Sequence, residues 1–336
     1  MAEGSILTNP NALNDTYLPE QLLYSWNQVK LMAEAIEPLL DGQTSKTVLL
    51  HGPSGAGKTT AARFFLEYLK EQSLEVRSGY VNCWNDYSRF DTLTALARSL
   101  GLPLIRGRLS ANEVLFRVEG LTQKYQCTVA LDEVDQLEDK KLLYRFGMLD
   151  CGLIMITNDA RQLYRLDSRI KSRLEPIESI HFPAYSNKEL MDILEVRAQV
   201  ALRPHSVSKQ QIRRMVVSSG HNAHVAIESL KIASQRADSD YSSRILDKHV
   251  RFAIAEARQA VRTKSLSRLN EHQQKLLEIV KKAKEISSGE LHKRYRGEMV
   301  RPVTGRAIRN YLSKMVRYGF LVAKGEGRWR EYVLNA

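Results

Sequence analysis

The sequence predicts an α/β fold: a mainly parallel sheet with helical connections, followed by an all-helical region and a small basic unit of three helices and a hairpin. Three observations predict it. Short apolar runs alternate with helix-period stretches from Lys46 to about Pro183, the pattern of a parallel sheet with crossover helices. From Ser186 to Val261 the strand-like runs stop and only helical periodicity continues. Charge then concentrates: from Lys264 to Ala336 there are 17 Lys and Arg against 7 Asp and Glu, a surplus of +10 that leaves +2 of the chain's +12 for everything before it.

Taken in order, the strand candidates are residues 47–51, 76–82, 128–131, 153–157 and 179–182. Directly after the first of them, residues 52–60 read GPSGAGKTT and match GxxxxGK[ST] between an apolar strand and an amphipathic helix. Gly52, Gly55 and Gly57 let the backbone wrap an anion. Amide hydrogens from Pro53, Ser54, Gly55, Ala56, Gly57, Lys58, Thr59 and Thr60 line the predicted cradle, apart from proline's missing donor, and the helix N-terminus adds positive potential. Lys58 is placed to reach β and γ phosphates of ATP or ADP, and Thr59 to hold Mg²⁺. The third strand ends in Asp132 and Glu133. Asp132 can organise the magnesium shell, while Glu133 can orient the water that attacks the γ phosphate. The fourth strand ends at Asn158, whose amide has the reach to hold that water. The chemistry expected is ATP hydrolysis.

In the helical region, Ser186 with Glu189 forms a candidate capping box, and a helix starting at Ser208 stops at Gly220. Residues 262–267 are short, polar and basic, which reads as a linker. Beyond it, Ser287 with Glu290 suggests another capping box, and from Thr304 the residues Ile308, Leu312 and Met315 share one helix face. Arg306, Arg309, Asn310, Lys314 and Arg317 fall mostly on the other face, with Gly319 as a C-cap. Two short strand-like runs flank a turn near Gly325, and three helices followed by a hairpin make a winged helix. The predicted domains are 1–183, 184–262 and 263–336.

Cationic surplus on such a unit points to double-stranded DNA. Arg306, Arg309 and Asn310 are candidates for base edges in the major groove, because arginine bridges guanine acceptors and asparagine pairs with adenine. Lys314 is a candidate for phosphate, and the hairpin offers Arg328, Trp329 and Arg330 to the minor groove or the backbone. A chain of 336 residues, 43% hydrophobic, is long enough for two or three cores. No run of eighteen apolar residues and no secretion signal is read, so a cytoplasmic, nucleoid-associated protein without a membrane partner is expected. Cys83, Cys127 and Cys151 are odd in number and widely spaced, predicting neither disulfides nor zinc.

The order of these motifs carries a family resemblance over nearly the whole chain. P-loop, LDEVD at 131–135, TND at 157–159, SRIKSRL at 168–174 and a helical lid resemble an AAA+ ATPase. Within that superfamily, YLPE at 17–20, VNCWNDYSRF at 81–90 and SRIKSRLEPIESIHFPAYS at 168–186 resemble the archaeal origin recognition and replication-initiator group. The resemblance implies that Asn158 is the sensor-1 residue and that Arg173 is an arginine finger presented to a neighbouring subunit, with Arg169 second. It implies an adenine-side wall at Tyr17, Leu18 and Pro19, and DNA contacts by Trp84, Tyr87 and Arg89 in the inserted motif. His224 aligns with the lid's sensor-2 arginine, and Ser25 and Trp26 replace a frequent His-Arg pair. Imidazole is shorter than a guanidinium and mostly neutral at pH 7, which favours slow or partner-dependent turnover. The function implied is a replication initiator that binds origin duplex DNA under ATP/ADP control and helps recruit or load the replicative minichromosome maintenance helicase, beside a second initiator subunit. The alternatives are a branch-migration motor of the Holliday-junction type, and a DNA-binding scaffold that keeps nucleotide as a structural cofactor.

Overall fold

The computed structural model describes residues 5–43, 45–72, 76–86, 88–103, 109–161, 166–267, 269–317, 320–325 and 327–334, with the side chains of 262, 264–267, 314, 317 and 328 also outside the description. Of the residues singled out above, Tyr87 and Gly319, and the side chains of Lys314, Arg317 and Arg328, therefore lie outside it. The chain divides into two compact units, Met1–Val261 and Arg262–Ala336.

Five parallel strands form the sheet of the first unit: β1 (Thr47–His51), β2 (Arg77–Asn82), β3 (Cys127–Asp132), β4 (Cys151–Thr157) and β5 (Ile177–His181), in the order β2-β3-β4-β1-β5. Both faces of the sheet are covered, as a parallel sheet requires. On one side α1 (Trp26–Ile36) and α2 (Lys58–Gln72) pack Met32, Phe65 and Leu69 against Val48, Leu50 and Ile154. On the other, α3 (Arg89–Ser99), α4 (Ala111–Lys124), α5 (Lys141–Phe146) and α6 (Ser168–Leu174) bury Leu96, Val118, Phe146 and Leu174 against Leu49, Leu131 and Met155. Period-two alternation along β1 produces this split, with Leu49 facing one helical layer and Val48 and Leu50 the other. The N-terminal caps follow from sequence: Ser88 accepts from Asp91 N, and Ser110 with Glu113 makes a full capping box.

The helical part consists of α7 (Asn187–Ala201), α8 (Lys209–Ser219), α9 (Ala223–Ser239) and α10 (Asp247–Ser267). Ser186 with Glu189 forms the expected capping box, and Gly220 ends α8 in the left-handed region at φ 63°. Ile6, Leu7, Ala12 and Leu13 from the chain's start join the core of this helical part. Leu7 bridges to Leu202, and Asp238 accepts from both Ile6 N and Ser5 Oγ. The stretch read as a linker, residues 262–267, is helical and forms the last turns of α10. The stretch AEARQAVRTKSLS at 255–267 contains neither glycine nor proline and is rich in good helix formers, so nothing in it stops the helix.

The second unit contains α11 (Glu271–Ala283), β6 (Glu285–Ser287), α12 (Ser288–Glu298), α13 (Gly305–Arg317), β7 (Leu321–Lys324) and β8 (Glu331–Leu334). Its sheet is antiparallel in the order β6-β8-β7. Leu276, Val280, Leu291, Tyr295, Ile308, Leu312 and Met315 are buried at its centre. The three helices and the hairpin are those the sequence reading assigned, whereas β6, three residues long, is too short to show a period. Ser287 caps α12 by accepting from Glu290 N, but the Glu290 carboxylate pairs with Arg294, so this capping box is only half formed. Among the described residues, no helix is long and apolar enough to cross a membrane.

Candidate functional site

Strand order decides where chemistry can occur. β1 lies beside β4, and β4 beside β3, so the loops after all three strands emerge at one edge of the sheet, the edge at which open α/β sheets bind ligands. Register sharpens this placement: His51 pairs with Thr157, which brings Gly52 and Asn158, the next residues, to neighbouring positions.

The loop after β1 fits tightly against its surroundings. Gly52 has φ +144°, and a Cβ there would lie 2.0 Å from the Phe182 carbonyl oxygen, so no other residue can occupy the position without moving backbone. Lys58 opens α2 and folds back: its Nζ donates to Gly52 O at 2.8 Å, Pro53 O at 2.7 Å and Asn158 Oδ1 at 3.0 Å. Burial lowers the Lys58 ammonium to a pKa of about 8, although Asp132, Glu133 and Asp135 oppose that shift. A partly desolvated ammonium with three neutral acceptors is well placed to exchange them for phosphate oxygens.

Beside it, Asp132 is fixed by three donors. Thr59 Oγ1 and Tyr80 OH each donate to Asp132 Oδ2 at 2.7 Å, and Glu133 N donates to Asp132 Oδ1 at 2.8 Å. Burial still pushes the Asp132 carboxyl above the ordinary carboxylate range, a cost that an adjacent cation would remove. Glu133 sits in the left-handed region at φ 51°, a constrained backbone for a residue with a side chain. Behind this layer, Thr157 Oγ1 donates to Asp135 Oδ1 and Gln136 Nε2 to Asp135 Oδ2, which ties the ends of β3 and β4 together. Lys58, Thr59, Asp132 and Asn158, predicted from separate motifs, thus form two hydrogen-bonded pairs, Lys58 with Asn158 and Thr59 with Asp132, built on adjacent P-loop residues. The hydroxyl and carboxylate predicted for Mg²⁺ are in contact, and oxygen donors are what that ion takes.

The helical part closes over the loop. A Cβ on Gly55 would lie 2.4 Å from Asn222 Oδ1, and one on Gly57 would lie 2.2 Å from the Tyr185 hydroxyl. Asn222 caps α9, accepting from His224 N and Val225 N. The His224 ring itself faces Asp15, Nδ1 to Oδ1 at 3.7 Å. Tyr17 is half-buried under the Arg197 guanidinium, 4.4 Å from its ring centroid, and Arg197 Nη1 donates to Ala12 O at 2.8 Å. Leu18 and Pro19 are half-buried beside it in sequence. Tyr80, Tyr185 and Asn222 were not identified from sequence. Each reaches the site from a distant part of the chain, and only the Asx capping signal before α9 marks Asn222 locally.

Arg173 and Arg169 are exposed on α6, in a cleft of about 1090 Å³ lined also by Arg89, Lys141, Tyr144 and Arg145. The Arg173 guanidinium lies 5.7 Å from the Tyr144 ring centroid. Arg89 is tied down at the start of α3, bonded to Asn112 Oδ1 and paired with Asp139. Trp84 is half-buried, its N–H donating to Asn82 Oδ1. In the second unit Arg306, Arg309 and Asn310 are exposed on α13, opposite the buried Ile308 and Leu312. Trp329 is 85% exposed on the hairpin, next to exposed Arg330; the indole does not pack on its own strands.

Residues 41–161 match the AAA domain family, and residues 191–255 match the Cdc6 AAA+ ATPase-type lid domain. ORC1-type DNA replication protein 9 of Halobacterium salinarum is 32% identical over 336 residues, covering 98% of this chain and 94% of that protein. The chain belongs to the ORC1-type replication initiator family. Like other ORC1-type proteins it is therefore an ATPase of the AAA+ class. The structure of Aeropyrum pernix ORC1 in complex with DNA superposes with a TM-score of 0.80 at 26% identity, over 100% of this chain and 95% of that one. The Thermotoga maritima RuvB branch-migration motor shares the fold more distantly, with a TM-score of 0.52 at 18% identity.

Proposed function

We propose that this ORC1-type chain binds origin duplex DNA under ATP/ADP control, hydrolyses ATP slowly, and helps recruit or load the replicative minichromosome maintenance helicase beside a second initiator subunit. The reading rests on one observation above the rest: a single chain carries both the Lys58, Thr59, Asp132 and Asn158 group and an exposed cationic helix face on α13. The relative whose structure is described as a complex with DNA supports the second half.

In this reading the domains are 1–183, 184–262 and 263–336, the last a winged helix. Lys58 neutralises β and γ phosphates, exchanging its loop carbonyls for charged oxygens. Thr59 and Asp132 would hold Mg²⁺, whose charge would offset the negative charge that develops on phosphoryl transfer. Glu133 orients the attacking water and Asn158 steadies it from the neighbouring strand end. Arg173, exposed at a cleft away from the P-loop, completes the charge shell of a neighbour's nucleotide. His224, whose ring lies 3.7 Å from Asp15, does not reach toward phosphate as a guanidinium would, which suits a switch better than a motor. Arg306, Arg309 and Asn310 read bases, while Lys314, Arg328, Trp329 and Arg330 hold the backbone and the minor groove. Trp84, Tyr87 and Arg89 add contacts from the AAA+ side, and Tyr17, Leu18 and Pro19 border the base of the nucleotide.

The test is duplex binding over a salt series, with ATP, ADP or neither, alongside steady-state hydrolysis. Expected are retained nucleotide, slow turnover, and a duplex affinity whose logarithm falls linearly with the logarithm of salt concentration. No duplex affinity at low salt, or rapid DNA-stimulated hydrolysis with strand translocation, would overturn the reading, the second outcome in favour of a branch-migration motor.

A further inference from the structure

β1 and β5 are parallel neighbours, and their last residues, His51 and His181, stand opposite one another in register. β5 is the edge of the sheet. Alternation puts both side chains on the same sheet face, because Leu49 and Ile177, two and four residues earlier, pack on the same core cluster. At the strand ends that core has run out. His51 is half-buried and His181 exposed, with ring centroids 5.1 Å apart and planes inclined by 37°.

This spacing has a chemical meaning. A zinc ion sits ~2.0–2.1 Å from an imidazole nitrogen, hence ~3.2 Å from the ring centroid, and two imidazoles on a tetrahedral ion have centroids ~5.2 Å apart. The observed separation is compatible with a chelating pair. Simple ring packing is compatible with a wider range, about 4.5–7 Å, which also contains the observed value.

We propose that His51 and His181 form a two-histidine site for a borderline transition cation of the Zn²⁺ class, with water completing the coordination. Imidazole nitrogen selects such ions over Mg²⁺, which takes oxygen. The site is therefore distinct in its chemistry from the Thr59 and Asp132 pair. Among the described residues, no group of three or more His, Cys, Asp or Glu side chains could hold a metal, so this site keeps open positions and exchanges its ion. A bound ion would clip the edge strand β5 to β1 one residue before Gly52, where Phe182 O already abuts the loop.

The experiment is calorimetric titration of the untagged full-length protein with Zn²⁺ in the absence of nucleotide, together with thermal unfolding with and without excess Zn²⁺. Parent protein is expected to bind one equivalent and to unfold at a higher temperature when zinc is present, since an ion bound only by the folded state stabilises it. His181→Gln, at an exposed position, and His51→Gln should each weaken that equivalent by about tenfold or more and lose the thermal shift. Unchanged unfolding temperatures without metal will show that the variants fold. If either variant takes up zinc with the parent's affinity, or if the parent binds no more than the double variant, the site does not exist and the rings merely pack.

Discussion

The two ends of this protein place their chemistry in opposite ways. Around the P-loop, functional side chains hold one another: Lys58 bonds to Asn158, and Thr59 and Tyr80 both bond to Asp132. On α13 the candidate DNA-contacting side chains are instead exposed on a scaffold held by Ile308, Leu312 and Met315. The contrast matches what each end is proposed to bind. A transferring phosphoryl group needs donors fixed before it arrives. A duplex presents a repeating phosphate lattice that long, hydrated cations can follow. At the first end, then, function and stability are entangled; at the second they are separable.

Four measurements press on that contrast. The largest effect is expected from Lys58→Ala, which removes charge-assisted bonds to phosphate and should weaken nucleotide binding by at least about 100-fold in equilibrium titrations. Retained affinity would mean that backbone amides alone hold the nucleotide. Next, Arg309→Ala should cost about tenfold or more in duplex affinity at a fixed salt concentration. Its hydrolysis should be intact and its unfolding free energy within about 0.5 kcal/mol of the parent. A folding defect there would erase the distinction between the two ends. The third measurement is pH dependence. Phosphate oxygens favour the protonated ammonium, so nucleotide binding must raise the Lys58 pKa from about 8. Affinity should be full below that value and fall as pH rises through it, approaching tenfold per unit. Calorimetry in buffers of different ionisation enthalpy should show proton uptake at pH 8.5, and a flat profile would mean that Lys58 is charged throughout. The smallest effect is that of Tyr80→Phe, which takes one donor from a buried carboxylate. We expect ~1–2 kcal/mol of lost stability in denaturant unfolding, together with slower hydrolysis, the joint signature that Arg309→Ala should lack.

Legibility from sequence divides along the same line. GPSGAGKTT, the acidic pair after β3 and the asparagine after β4 were readable because a phosphate site demands fixed residue types at fixed places on a strand-loop-helix unit. The cationic face of α13 was readable from helical period alone. Tyr80, Tyr185 and Asn222 were not, since their roles depend on which strand or helix lies beside the loop, and that is decided by topology rather than local pattern. That 262–267 is helical was not legible, since a polar, basic stretch reads alike as a loop or as a helix surface. Residues 5–13 were assigned to the sheet domain by their place in the chain, yet Ile6 and Leu13 are packed into the helical core.

Gly55 and Gly57 are usually credited with what their backbones allow, but here their missing side chains also set a clearance. Asn222 and Tyr185 come so near that a single methyl group on either glycine would collide with them. The surface that grips an anion is thus also the seat on which the helical part rests. Lengthening a residue at 55 or 57 would disturb the seat as well as spoil the grip, so the two share one steric tolerance.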